Sequence, residues 1–342
     1  MKKHIELIPT AGMDRDQWLS YRHSGIGASE VGCVLGLDDY TSSLELYYYK
    51  IGEVPKFDLE NMAKFIGKID EPKIAKMWQY WDPATQDELT MIRNFQMGKV
   101  VRRCQRVTAY VRNPAYPWLF VSLDRKINKY DHRGEGTLEL KTIGGWEADK
   151  WDAGLPPKYI TQVNTQMLVC EFLFGEMALL QDNRRFFVYP FDRSDNIANH
   201  IVNRTKDFWD RVVAGRKLVN EKFHCMTTFN EKRIQELNHE IDALAPEPDG
   251  TLAYADFLAD RHGKPTRLER KGSIIELDFA KAHRDASDRL KEIQEIKTLN
   301  ENNLKRAMAD TQCLDFGTDG KVYWSTTPSG SRIFRNKLKT RA

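Results

Sequence analysis

Between residues 100 and 143 the chain changes from helical spacing to runs of β-branched and apolar residues separated only by turns. KVVRRCQRVTAYV predicts a strand over about Val100–Val111, WLFVSLDRKI a second over Trp118–Ile127, and GTLELKTI a third over Gly136–Ile143. The linkers NPAYP and NKYDHRGE have turn composition and are too short to hold crossover helices. Three such strands form an antiparallel meander. A doubly wound parallel sheet is therefore excluded, and a mixed α/β (α+β) fold is expected.

Helices are expected on both sides of this block. IGASEVGCVLGL predicts a glycine turn at Gly25 and Gly27, then a helix over Glu30–Leu35 capped by Ser24 or Ser29. A second helix spans Ser43–Lys50 and closes near Gly52. A third carries Met62, Phe65, Ile66, Ile69, Ile74, Met77 and Trp78, with a bend or break expected at Gly67 and Pro72. After the meander, PPKYITQVNTQMLVCEFLF predicts a long helix. MALLQDNRRFFVYPF reads as a strand with a break at QDN, and RSDNIANHIVNRTKDFWDRVVAG as a helix stopped by Gly215. Beyond residue 220 the segments are helical and strongly charged. Ala286, Leu290, Ile293, Ile296 and Leu304 form a narrow stripe there, and a strand hairpin closes the chain near Lys321–Phe334. The expected organisation is a core over 1–219, a projecting helical arm over 220–310, and a hairpin over 311–342 that returns to the core.

Composition narrows the function classes. Lys and Arg number 52 against 49 Asp and Glu, so any nucleic-acid contact needs a concentrated patch. Arg102-Arg103, Arg184-Arg185 and RNKLKTR are candidate patches of that kind. No apolar run reaches the ~20 residues that span a bilayer, and the opening MKKHIELIPTAGMD has no apolar signal-peptide stretch. A cytoplasmic protein without membrane contact is expected. The five cysteines are widely spaced and include no CxxC, which reads as ordinary thiols.

Chemistry concentrates on the meander. Asp124 follows the apolar WLFVSL, and Glu139 and Lys141 sit two apart in GTLELKTI. Strand alternation puts Glu139 and Lys141 on one face with Leu140 on the other. A solvated strand face with a surface ion pair would carry the same triplet. Charges embedded in two adjacent apolar strands instead call for a partner or a metal. Two carboxylates with an ammonium beside them suit a hard cation such as Mg²⁺, which bridges oxygen ligands to phosphate. Lys141 would hold or deprotonate the attacking water, or offset charge on the phosphate. On the following helix, Tyr159, Gln162 and Gln166 share a face. Glu71, beside Pro72, is a further candidate.

In order and spacing, GIGASE, the G(x)3EP of Gly67–Pro72, the SLD ending at Asp124, ELKT at Glu139–Thr142 and PPKYITQVNTQ resemble the YqaJ-like viral recombinases. These are relatives of the lambda-type exonucleases in the PD-(D/E)xK nuclease superfamily, and the resemblance covers roughly residues 18–190. It implies a restriction-endonuclease-like core. The implied activity is Mg²⁺- or Mn²⁺-dependent digestion of the 5′-ended strand of linear double-stranded DNA, leaving 3′ single-stranded tails for a single-strand annealing protein. A ring-shaped trimer and phage or prophage origin are also implied.

By the same resemblance, Asp124, Glu139 and the carbonyl of Leu140 are metal ligands and Lys141 is the catalytic lysine. Glu71 and Gln162 would position water, and Arg22 and Ser29 would recognise a 5′-phosphate. Two departures stand out. The family commonly has Asp-Gly where this chain has Asp124-Arg125, and its QxQ appears as Gln162-Val163-Asn164 with a later Gln166. An endonuclease of the same superfamily, or a DNA-binding recombination partner without catalysis, are the alternatives. The presence of all three core residues argues against the second.

Overall fold

The β-rich block divides between two sheets instead of forming one meander. This is seen in a computed structural model, which describes residues 2, 4–55, 61–129, 132–144, 151, 154–263, 269–326 and 330–338. The chain forms two compact units, Met1–Gly263 and Lys264–Ala342.

The first unit opens with β1 (Glu6–Pro9), α1 (Arg15–His23), β2 (Ile26–Gly27), a 3-10 turn over Ala28–Glu30, α2 (Val31–Val34) and α3 (Ser43–Ile51). Next come α4 (Met62–Tyr80), α5 (Glu88–Gln96), β3 (Cys104–Gln105), β4 (Ala109–Arg112), β5 (Leu119–Ser122), β6 (Arg125–Ile127) and β7 (Gly136–Ile143). It continues with α6 (Pro157–Cys170), β8 (Phe174–Gln181), β9 (Arg185–Asp192), α7 (Asp195–Thr227), α8 (Glu231–Ala243) and α9 (Leu252–His262). The second unit holds α10 (Ile274–Met308), β10 (Cys313–Asp315), β11 (Gly320–Thr326) and β12 (Arg332–Leu338).

One sheet has the order β1-β4-β5-β2 and the other β3-β6-β7-β8-β9. Each of the first two expected strands is cut in two by this division. Their N-terminal and C-terminal parts, β3 and β4, then β5 and β6, pair in different sheets. The switch between β5 and β6 leaves Asp124 outside either strand, at the point where the backbone changes sheets. β6 and β7 are antiparallel, as the meander predicts, while β7 and β8 are parallel and joined through α6. The expected break at QDN is a tight hairpin, with Asp182 and Asn183 both at positive φ. The result is a mixed α/β fold with helices packed on its sheets.

Two apolar clusters hold the first unit. In one, Leu46, Tyr47, Val121, Val163, Met167, Ile201 and Phe208 join α3, α6 and α7 to the first sheet. In the other, Ile74 and Trp78 of α4 pack on Ile127, Leu138, Leu140 and Phe174 of the second. This anchoring keeps α4 continuous through Gly67 and Pro72, against the expected interruption. Its second half buries Ile74, Ala75 and Trp78, and tertiary packing of that stripe outweighs the hydrogen bond lost at proline.

Gly215 is likewise not a stop. A Cβ there would lie 2.6 Å from Tyr47 Oη and 2.9 Å from Ile51, so the residue serves close helix packing and α7 runs on to Thr227. The expected boundary after residue 219 therefore falls inside a helix. Leu237, Ile241 and Tyr254 are buried in the first unit, and Tyr47 Oη donates to the Ile241 carbonyl at 3.1 Å. The first part of the expected arm thus belongs to the first unit, which runs to Gly263. In the second unit α10 leaves Leu290, Ile293 and Ile296 exposed. The expected hairpin is β11 with β12, and β10 adds a third strand. The five cysteines form no disulfide, and among the described residues no helix is long and apolar enough to cross a membrane.

Candidate active site

β7 is the strand that builds the site. Both its faces are covered, and alternation separates their chemistry. Leu138 and Leu140 enter the apolar cluster under α4. Thr137, Glu139 and Lys141 face the other way, and the first two bond side chains of α6. The helix sits close because Gly175 of β8 leaves room. A Cβ there would meet Thr137 at 2.6 Å and Val163 of α6 at 2.9 Å.

Glu139 is only 2% exposed and is clasped from several sides. Gln162 Nε2 donates to its Oε1 at 2.6 Å, and Gln166 Nε2, one helical turn later, donates to its Oε2 at 2.6 Å. The Gln166 amide is oriented by Thr137, whose hydroxyl donates to Gln166 Oε1 at 2.7 Å. Lys141 Nζ lies 2.7 Å from Glu139 Oε1 and 5.5 Å from the ring centroid of Tyr159. Asp124 reaches the same strand from the sheet switch, its Oδ2 accepting the Leu140 N–H at 2.8 Å. The register Arg125↔Leu138 sets Asp124 opposite Glu139 at the next step.

The electrostatics follow from this crowding. Burial, reinforced by the neighbouring Glu139 carboxylate, pushes the Asp124 carboxyl up to about 8, against the opposing pull of Lys141 and the Leu140 N–H. For Lys141 burial works against the charge, but Glu139 and Asp124 together outweigh it and raise the ammonium above its ordinary value. Lys141 therefore stays protonated at neutral pH.

Glu71 stands at the edge of this group, ion-paired to Arg125, whose Nη1 also donates to the Asp124 carbonyl at 2.5 Å. Arg125 thus ties Glu71 of α4 to the sheet switch. Arg125→Ala is expected to lower stability by about 1.5–3 kcal/mol, the order of a lost charge-assisted hydrogen bond from a buried guanidinium. Urea denaturation checks it, and an unchanged midpoint would show that the tie does not stabilise the fold.

Arg22 and Ser29 belong to a separate arrangement. Arg22 Nη2 donates to Glu30 Oε1 at 2.9 Å. The buried Lys50 Nζ donates to Glu30 Oε2 at 2.8 Å and to the carbonyls of Arg22 and Gly25 at 2.6 and 2.8 Å. The Gly27 N–H also donates to Glu30, so this network fixes the glycine turn. Ser29 is exposed on the 3-10 turn and caps no helix; the helix that follows starts at Val31 without a side-chain cap.

Arg125 is the contributor that sequence reading leaves out of the site, and Gln166, read there only as sharing a helix face with Gln162, proves to bond Glu139 directly. The spacing of Gln162 and Gln166 carried the first signal, since residues four apart share a helix face. Nothing in the sequence pairs Arg125 with Glu71. Among the described residues, no group of three or more His, Cys, Asp or Glu converges as a ready metal cage.

β7 thus brings the buried Glu139 and Lys141 together with Asp124 of the strand switch and the glutamines of α6. Residues 17–172 match the YqaJ-like viral recombinase domain. Over 348 aligned residues it is 26% identical to the uncharacterized protein YqaJ of Bacillus subtilis (strain 168), covering 99% of this chain and 91% of that one. Among solved structures it is similar to LHK-Exo, an alkaline exonuclease from Laribacter hongkongensis. That match has 18% identity and a TM-score of 0.47, over 62% of this chain and 99% of that one. A phage-related exonuclease from Haemophilus somnus 129PT matches at 11% identity with a TM-score of 0.37, over 58% of this chain and 98% of that one.

Proposed function

We propose that this protein is a Mg²⁺-dependent deoxyribonuclease that digests the 5′-ended strand of linear duplex DNA and leaves 3′ single-stranded tails. The observation that carries the reading is the meeting of Asp124, Glu139 and Lys141 under the Gln162–Gln166 clasp, inside the YqaJ-like domain.

The donor chemistry suits a hard divalent cation. Asp124 faces Glu139 where burial and the neighbouring carboxylate oppose its charge, an imbalance that a dication relieves. Asp124, Glu139 and the Leu140 carbonyl would hold it. Two side chains and one carbonyl match the habit of Mg²⁺, which keeps several waters and takes few protein ligands. Mn²⁺ accepts the same oxygen set. When bound, the metal supplies Lewis acidity toward the scissile phosphate.

The protein's own groups do the rest. Lys141, held protonated beside Glu139, sets a positive charge where charge develops on the phosphate. Gln162 and Gln166 orient the Glu139 carboxylate, and Gln162 together with Glu71 positions the attacking water. Arg22, steadied by Glu30, and the exposed Ser29 are assigned to the 5′-terminal phosphate, for which a guanidinium is suited. On this reading the tails pass to a single-strand annealing protein, and copies of the chain assemble as a trimeric ring around the duplex.

A direct comparison tests the polarity. Linear duplex bearing 5′-phosphates is expected to be degraded in Mg²⁺ faster than the same duplex with 5′-hydroxyl ends, while covalently closed circles persist. Arg22→Ala should narrow that preference more than it weakens total binding, because it removes one contact among many to the backbone. Rapid nicking of the closed circle would instead make the protein an endonuclease of the same superfamily.

A further inference from the structure

The second unit presents a sheet face that the cleavage reading does not use. The register of β10, β11 and β12 places Cys313, Asp315, Lys321, Tyr323, Ser325, Ile333, Arg335 and Lys337 on one side. The other side carries the fully buried Val322, with Trp324 and Phe334 lying under Lys305 of α10. That inner side closes the unit's own small core. The outer side is turned to solvent: Lys321, Ile333, Arg335 and Lys337 are exposed and Tyr323 is half-buried.

The charge on this outer side is lopsided. Lys321 stands directly opposite Lys337, and Tyr323 directly opposite Arg335. Asp315 is the one carboxylate on the face, and it pairs with Lys321 at 2.7 Å. Arg335 and Lys337 take part in no ion pair among the described residues. Like charges directly opposite on neighbouring strands destabilise a sheet. A face built this way is complementary to a polyanion. A phenol ring and an isoleucine lie among the cations, spaced two residues apart along each strand. Cations that track phosphates, interleaved with a flat ring on which a base can stack, are the chemistry that holds single-stranded nucleic acid. A duplex keeps its base faces stacked internally and leaves the ring unused.

We propose that this outer face of β10–β12 binds single-stranded DNA, with phosphates against Lys321, Arg335 and Lys337 and a base stacked on Tyr323. The site lies outside the matched region 17–172 and does not depend on the cleavage reading. In a protein that makes single-stranded tails, it would keep hold of the product strand.

The test uses the full chain in EDTA, so that cleavage plays no part. A labelled oligothymidine of about 20 residues, longer than the ~16 nucleotides that the largest single OB-fold sites cover, is titrated by fluorescence anisotropy at several salt concentrations. A duplex of equal length is the comparison. The double substitution Arg335→Glu with Lys337→Glu is expected to weaken oligothymidine binding at least about 10-fold. It should also flatten the log–log salt dependence by roughly 1.4, as two lost phosphate contacts on a single strand require. Tyr323→Ala should weaken binding by about 5-fold or more with the salt slope unchanged, and Tyr323→Phe should bind as the parent does. Lys337→Glu alone removes the opposed lysine pair, so its melting temperature is expected to be no lower than the parent's, which keeps misfolding out of the reading. Unchanged oligothymidine affinity in the folded double variant would overturn the site. Equal losses on duplex and single strand would overturn the single-strand assignment, and polyglutamate displacing the oligonucleotide at equal charge concentration would reassign the face to an acidic protein partner.

Discussion

Asp124→Asn is expected to reduce Mg²⁺-dependent digestion of linear duplex by about 10³-fold or more, while the metal-free protein melts at or above the parent temperature. The two halves of this result have one cause. Asparagine keeps an oxygen to accept the Leu140 N–H, so the local hydrogen bond survives. It removes a carboxyl that burial and Glu139 push up to about 8, so the empty site loses a like-charge conflict. Relief of such a conflict is worth about 1–3 kcal/mol at a pH where both acids would otherwise ionise.

Glu139→Ala should be equally inactive but behave differently on heating. Lys141, Gln162 and Gln166 all donate to Glu139 in a place that is 2% exposed, and truncation leaves those donors without an acceptor. A loss of about 1–3 kcal/mol follows from leaving buried donors without their acceptor. Digestion of labelled duplex and calorimetry in EDTA check both variants. Wild-type cleavage by Asp124→Asn would remove it from the metal site, and a clearly lower melting temperature would remove the like-charge argument.

The geometry of this centre was partly legible because it depends on short-range periodicity. Strand alternation put Glu139 and Lys141 on one face, and the four-residue interval put Gln162 and Gln166 on another, and both relations hold in the fold. What sequence could not supply was the division of one apolar run between two sheets. Nothing between Leu119 and Ile127 signals that pairing changes partner at Leu123-Asp124, because each half satisfies strand propensity equally well and tertiary pairing decides. Arg125 reaches Glu71 across 54 positions in sequence, and such a pair exists only once α4 lies on the second sheet.

Glycine misled in a specific way. Gly215 has the look of a helix end, yet it answers a contact with Tyr47 that only the packed core reveals. Gly52, which closes α3 at a φ of 89°, obeys the local rule, because there the backbone conformation itself demands glycine. At the N-terminal end, Asp14 and Gln17 form a capping box for α1 that the sequence displays as D-x-x-Q. The strand β1 before it is short and pairs with β4 across about a hundred residues, beyond the reach of any local pattern.

Lys141→Ala is expected to slow the chemical step by about 10²-fold or more, with duplex affinity changed far less. The position of the ammonium sets this split. It lies 2.7 Å from Glu139 and over the ring of Tyr159, held inside the centre and not along an outer basic track. Its charge thus acts on the reacting phosphate more than on the flanking backbone. Lys141→Arg should restore little, since a planar fork cannot place one compact charge in the space that Glu139 and Tyr159 leave. The carboxylate partner raises the ammonium further above its ordinary value, so the lysine is a fixed charge at neutral pH and not a proton acceptor. The rate with Lys141→Arg should therefore stay low across the neutral range and show no new titration. Single-turnover digestion at saturating enzyme isolates the chemical step, and anisotropy in Ca²⁺, a larger hard cation for the same oxygen ligands, measures affinity beside it. Full single-turnover rate in Lys141→Ala would take the residue out of the chemistry, and a loss of affinity equal to the loss of rate would make it a DNA-binding group instead.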